Sequence, residues 1–255
     1  MNPTPWIVSR RVAAARLRLI CFAYAGGSAA SFLDWAPELP PEVSLCAVQL
    51  PGRGMRFHEP ALSEMAPIVR ELSAVLAAED DLPTVFFGHS LGCLLAFEVT
   101  RALVQRGAPT PRRLVLAGCH APQHRGPGGD LHLKDDEALI EELRNYAGTP
   151  PEVLAHRELM SLVLPAIRAD FALAETYRYE PGPQLDIPFT VLFGTEEERA
   201  SMRQVEGWQD ESSQPMRLHW FEGGHFFIHS QRQQVLECVR EELRAALSQP
   251  AVEEA

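Results

Sequence analysis

Lysine is almost missing from this chain: 22 of its 23 basic residues are arginine, and Lys134 stands alone. That scarcity excludes most Schiff-base chemistry, and with no G-x-x-x-x-G-K-[ST] string there is no P-loop. A basic surplus is missing too. The 23 basic side chains face 34 acidic ones, and a net charge of −11 argues against gripping nucleic acid through a basic face. No window approaches the ~18 uninterrupted apolar residues of a membrane span. The five cysteines (Cys21, Cys46, Cys93, Cys119 and Cys238) are odd in number and form no C-x-x-C pair. They read as buried thiols of a reducing compartment rather than a disulfide frame or zinc site, so a cytoplasmic protein is expected. What remains is ordinary globular material: 255 residues, 46% hydrophobic and 22% charged, enough for one large α/β domain or a domain with an insertion.

Short apolar runs alternate with helical patterns. The runs at Leu17–Tyr24, Val43–Leu50, Thr84–Gly88, Arg113–Ala117, Phe189–Gly194 and Arg217–Phe221 show little strict alternation, as strands buried on both faces should. The first run, preceded by Arg10, Arg11, Arg16 and Arg18, also resembles a signal peptide superficially. The strand reading is preferred because a Gly26-Gly27 turn follows it. Met65, Ile68, Val69, Leu72, Val75 and Leu76 make one helical stripe; a last helix is expected from Ser230, with Ser230 and Gln233 as its capping box. Strand–helix alternation implies a mostly parallel, doubly wound α/β sheet. Roughly 70 residues separate the fourth and fifth runs, more than a crossover needs. With helical patterns at 135–146 and about 152–177, the interval 120–185 reads as a helical lid inserted into a single domain spanning 1–255. The plainer alternative is two crossover helices with a strand overlooked.

Gly88-His89-Ser90-Leu91-Gly92 is a G-x-S-x-G string set between the apolar run Val85-Phe86-Phe87 and a helix from Leu91 to about Arg106. A strand–turn–helix is the setting in which such a string becomes a nucleophile elbow, with the Leu91 N–H free to donate to an oxyanion. The competing reading is a glycine-rich turn whose serine caps the helix. A serine hydroxyl needs a base, and nine histidines are present. His225, in Glu222-Gly223-Gly224-His225-Phe226 after the last strand, is the best placed; His229 is the nearest rival, and His89 flanks the nucleophile. The acid should follow a late strand. Glu197, in Gly194-Thr195-Glu196-Glu197-Glu198, is the first choice, with Glu196, Glu198, Asp186 and Asp210 as rivals; the plainer alternative is a solvated acidic turn and an enzyme that runs with a weakened acid.

These residues resemble the type II thioesterases, free-standing editing hydrolases of polyketide synthases and nonribosomal peptide synthetases. The resemblance spans nearly the whole chain. Cys21-Phe22-Ala23-Tyr24-Ala25-Gly26-Gly27-Ser28 is similar to the family's first-strand motif, and Leu50-Pro51-Gly52-Arg53-Gly54-Met55-Arg56 to its P-G-R-x-x-R segment. Arg168-Ala169-Asp170-Phe171 resembles its lid-helix signature and Gly223-Gly224-His225-Phe226-Phe227 its base motif. The resemblance implies an α/β-hydrolase fold, a Ser90–His225–acid triad, and oxyanion amides at Ala25 and Leu91. It implies hydrolysis of acyl thioesters on the phosphopantetheine arm of acyl or peptidyl carrier proteins, with no cofactor and no metal. One departure stands out: Glu197 occupies the place of the family's usual aspartate.

Two rivals use the same residues differently: a small-molecule esterase or acyltransferase, and a carrier-binding module whose triad has decayed. A monomer is expected. Because carrier proteins are acidic, a net −11 requires a docking face that is locally apolar or basic. Arg53, Arg56 and Arg125, on loops at the expected active-site end, are the candidate docking cations.

Overall fold

The computed structural model describes residues 4–78, 82–126, 128–146, 148, 151–197 and 201–249. Seven strands form one sheet: β1 (Ile7–Arg10), β2 (Leu17–Phe22), β3 (Val43–Val48), β4 (Thr84–His89), β5 (Arg113–Ala117), β6 (Phe189–Gly194) and β7 (Arg217–Phe221). Their order is β1-β3-β2-β4-β5-β6-β7, parallel except for β1, which runs antiparallel to β3. This is a mostly parallel α/β-hydrolase architecture. The helices are α1 (Ala30–Leu33), α2 (Met65–Ala77), α3 (Leu91–Gln105), α4 (Asp136–Tyr146), α5 (Pro151–Ala155), α6 (Arg157–Thr176), α7 (Met202–Glu206), α8 (Phe227–Ser230) and α9 (Arg232–Leu247).

Every residue of β2, β3 and β6 is buried, which is why these runs are apolar without alternation. On β4, Phe86 enters the cluster beneath α2 and α3, whereas Val85 and Phe87 enter the cluster beneath α9. The run with arginines before it is therefore a central strand. Strand β1 escaped the sequence reading because only Ile7 of its four residues is buried and its sole neighbour is β3.

Two helix boundaries differ from expectation. Helix α9 begins at Arg232, not Ser230, and Gln231 before it makes no side-chain cap. A separate turn, α8, already occupies Phe227–Ser230, and it packs Phe227 and Ile228 into the core. The pattern at 152–177 is broken in two at His156, whose Nδ1 accepts from the Leu159 N–H and starts α6 afresh. Among the described residues no strand lies between β5 and β6; the interval holds α4, α5 and α6, with a small apolar core of their own. No described helix is long and apolar enough to cross a membrane. None of the five cysteines is in a disulfide, and four of them are buried.

Candidate active site

The elbow follows β4 at the C-terminal end of the sheet. Ser90 has φ 56°, the only non-glycine among the described residues with positive φ. Its strain is imposed by close packing: a Cβ on Gly88 would lie 2.4 Å from the Gly92 carbonyl oxygen, and one on Gly92 would lie 2.0 Å from that of Phe22. The Ser90 N–H donates to the Ala117 carbonyl at 2.8 Å, tying the elbow to β5. Ser90 stands at the N-terminus of α3 yet makes no side-chain cap, so its hydroxyl is not committed to the helix.

His225 lies on the loop after β7, where Gly223 takes φ +116°. That loop is zipped to the one after β6: Thr195 N–H donates to Phe221 O and Glu196 N–H to Gly223 O. The zipper delivers Glu197 to His225, and Nδ1 donates to Oε1 across 2.7 Å. Such a bond leaves Nε2 as the unprotonated nitrogen of a neutral imidazole. Ser90 and His225 line one cavity of about 220 Å³ without a hydrogen bond between their side chains. Contacts of this kind commonly close only around substrate. Leu143, Tyr146, Ile167, Phe171 and Phe226 form the cavity's apolar wall. Ala25 lines it too, and neither the Ala25 nor the Leu91 N–H meets a protein acceptor among the described residues.

His89 is fully buried beneath this assembly, donating Nε2–H to the His225 carbonyl at 2.9 Å. Burial first, then the neighbouring His225, holds its pKa well below the ordinary histidine value. His89 is thus a neutral brace for the loop. In the sequence, His120 is one of nine histidines and has no distinguishing pattern around it. It stacks on Phe193 at 5.7 Å, and burial lowers its pKa although Glu197 is close enough to oppose the shift. Its Nε2 and the Glu197 Oε2 are both buried without a hydrogen-bond partner among the described residues.

The rivals go elsewhere. Asp186 is exposed and held by Ser213 and Gln214; Asp210 is exposed, 3.5 Å from Gln123 Nε2. Glu198 lies outside the described residues. His229 is exposed on α8, 3.4 Å from the Tyr24 hydroxyl.

The three arginines expected to dock a partner turn inward instead. Arg53 is bidentate to the buried Asp170 and also donates to Gly27 O. Arg56, 7% exposed, is forked onto Glu59, donates to Gln49 O and lies 4.1 Å over the Trp6 ring. Arg125 is half-buried against Ala174 O and the Cys119 Sγ. Their loops do reach the expected end of the sheet, but internal acceptors outcompete solvent for guanidinium groups whose stems pack on the core. An exposed basic docking face cannot be built from Arg53 and Arg56.

A family model described as Thioesterase domain matches residues 17–243. The gramicidin S biosynthesis protein GrsT of Aneurinibacillus migulanus is 35% identical over 244 residues, 95% of either chain. The type II thioesterase BorB from the borrelidin biosynthetic cluster superposes with a TM-score of 0.88 at 36% identity, over 95% of this chain and 99% of its own. YbtT, a type II thioesterase from the yersiniabactin NRPS/PKS biosynthetic pathway, superposes with a TM-score of 0.81 at 31% identity, over 95% of this chain and 100% of its own.

Proposed function

Since this chain belongs to the thioesterase family and is a thioester hydrolase, we propose that it is an editing enzyme, clearing acyl groups from the phosphopantetheine arms of acyl or peptidyl carrier proteins. Ser90 Oγ attacks the thioester carbonyl while His225 Nε2 takes its proton. The negative charge forming on the carbonyl oxygen is met by the Ala25 and Leu91 amides. As the carbon–sulfur bond breaks, His225 returns the proton to the departing thiolate. Water, deprotonated by the same imidazole, then attacks the acyl-enzyme, and the proton passes back to Ser90 as the free acid leaves. Glu197 keeps the proton on Nδ1 and stabilises the imidazolium that forms twice per turnover.

The observation that carries this reading is the 2.7 Å Glu197–His225 bond at the edge of the cavity that also holds Ser90. In this reading a glutamate does the work of the aspartate usual in the family, and the loop zipper supports it by bringing Glu197 to His225. A cavity of about 220 Å³ is smaller than the ~300–1,000 Å³ of pockets for drug-sized ligands. It suits a short acyl unit, with the helical insertion as the lid that shapes it. Such short units are what mispriming leaves on a carrier.

The test is mass spectrometry of a carrier protein loaded with acetyl, propionyl, butyryl or decanoyl groups and incubated with the enzyme. Release of the short groups, faster than hydrolysis of the matching p-nitrophenyl esters, is the expected result. A preference for the soluble esters would make the protein a small-molecule esterase instead.

A further inference from the structure

The Arg53–Asp170 pair contributes nothing to the cavity wall, yet it grips the turn that carries one of the oxyanion amides. Its members lie 117 residues apart in the chain. Asp170, fully buried on α6, uses Oδ2 to accept from the Gly26 N–H at 2.7 Å and from Arg53 Nη1 at 2.5 Å, and Oδ1 to accept from Arg53 Nη2 at 2.8 Å. Arg53 Nη1 donates onward to the Gly27 carbonyl at 3.0 Å. One carboxylate and one guanidinium therefore hold both the Gly26 N–H and the Gly27 C=O.

The turn itself runs from Tyr24 to Gly27. Gly27 N–H donates to Tyr24 O at 2.8 Å, and Gly26 takes φ +79°, as the third residue of a type II turn must. A trans peptide points its C=O and N–H in opposite directions. With the Tyr24 carbonyl directed into the turn at Gly27, the Ala25 N–H on the same peptide points away from it, and Ala25 lines the cavity beside Ser90. Helix α6 presses on the same turn: a Cβ on Gly26 would lie 3.3 Å from Ile167 Cγ1, three residues before Asp170.

We propose that Asp170 and Arg53 are positioning residues that aim the Ala25 N–H at the oxyanion, so that α6 and the oxyanion donor are set as one unit. The proposal rests on the thioesterase reading above. A donor contributes to catalysis only when it is aimed at the place the charge will occupy, and no other contact holds the Gly26 amide among the described residues. Without the carboxylate the central peptide of the turn is free to flip, and the neighbouring Ala25 amide loses its direction. A pair that merely fastened α6 to the body would not distinguish a tetrahedral ligand from a planar one.

Asp170→Asn and the doubly neutral Arg53→Gln/Asp170→Asn test this; the second leaves no unpaired buried charge and so guards against simple misfolding. With S-butyryl-N-acetylcysteamine as substrate, kcat should fall about 10- to 100-fold while KM moves less than about threefold. Affinity for a butyryl trifluoromethyl ketone, which forms a tetrahedral oxyanion on Ser90, should fall by the same factor, and affinity for planar butyramide should hold. Amide exchange at Gly26 should quicken by roughly 100-fold while Ile20 in β2 stays protected. Equal losses for ketone and butyramide, or unchanged kcat in the folded variants, would overturn the proposal. If the wild-type protein released no acyl group, the thioesterase reading would fall by itself. Unaltered Gly26 exchange in Asp170→Asn would then overturn the clamp.

Discussion

In the sheet, Phe86 and Phe87 go to opposite apolar clusters, each roofed by helices that bury side chains such as Leu72 and Leu236 completely. The insertion between β5 and β6 is built differently. Helices α4, α5 and α6 share only seven buried apolar side chains among the described residues, and polar pins do much of the fastening. Asp170 joins α6 to Arg53 and Gly26. Glu175 accepts from the Leu131 and His132 amides and from His132 Nδ1, and Arg168 bonds Asp136 and the carbonyls of His132 and Lys134. The body has such a pin too, Glu242 with Arg113 and Arg217, but at the opposite end of the strands. Apolar burial is non-directional and tolerant; paired polar groups are directional and fail when one partner is lost. Ser90 and His225 therefore stand on the region held by burial, whereas Leu143, Tyr146, Ile167 and Phe171 of the pocket wall stand on the region held by pins.

That contrast can be broken first at the chemistry. Ser90→Ala should lower thioester hydrolysis by about 10⁴- to 10⁶-fold while moving stability by less than about 0.5 kcal/mol, measured by single-turnover kinetics and urea unfolding. Glu197→Gln should cost about 10²- to 10⁴-fold in kcat, since an amide holds the imidazole but does not stabilise its cation. Wild-type activity in that variant would place the acid elsewhere. Next come the two cores. Phe87→Ala should destabilise the whole protein by about 3–5 kcal/mol in one cooperative transition. Leu139→Ala should cost about 2–4 kcal/mol, read by hydrogen exchange as opening confined to the insertion. If both variants unfold the protein as one unit, the two regions are not distinct.

Smaller effects sharpen the comparison. Glu175→Gln weakens the pin at Leu131 and His132, and should raise proteolysis of the 120–135 segment with a cost of about 1–3 kcal/mol. The body contributes a pH dependence of its own. His89 is held neutral by burial, so its folded pKa is below its unfolded value of 6.5. The unfolded chain binds a proton that the folded one refuses as pH falls below that value, and stability declines by up to ~1.4 kcal/mol per pH unit. His89→Gln, which keeps a donor for the His225 carbonyl, should flatten the stability curve below pH 6.5 in urea titrations.

Much of this was legible in the chain because it depends on neighbours in sequence. The runs at Arg113–Ala117, Phe189–Gly194 and Arg217–Phe221 are strands at those boundaries. The elbow announces itself because both glycines that permit it lie within two residues of Ser90. What escaped notice depends on distant partners. Strand β1 is recognisable only beside β3, the Ser230 cap is pre-empted by α8, and His120 gains meaning only next to Phe193 and Glu197. The inward turn of Arg53 and Arg56 has the same cause: an arginine on a loop looks solvent-facing until its acceptor is known.

The sequence by itself determined six of the seven strands, the strained serine at the start of α3, and the family of the chemistry, because turns, periodicity and glycine contacts act over a few residues. Only the tertiary structure decided which glutamate meets His225, where Arg53 sends its charge, and what holds the Gly26 amide. Those are choices among chemically equivalent side chains. They are made by packing segments 28 to 117 residues apart into contact, where burial makes an unpaired charge too costly to leave alone.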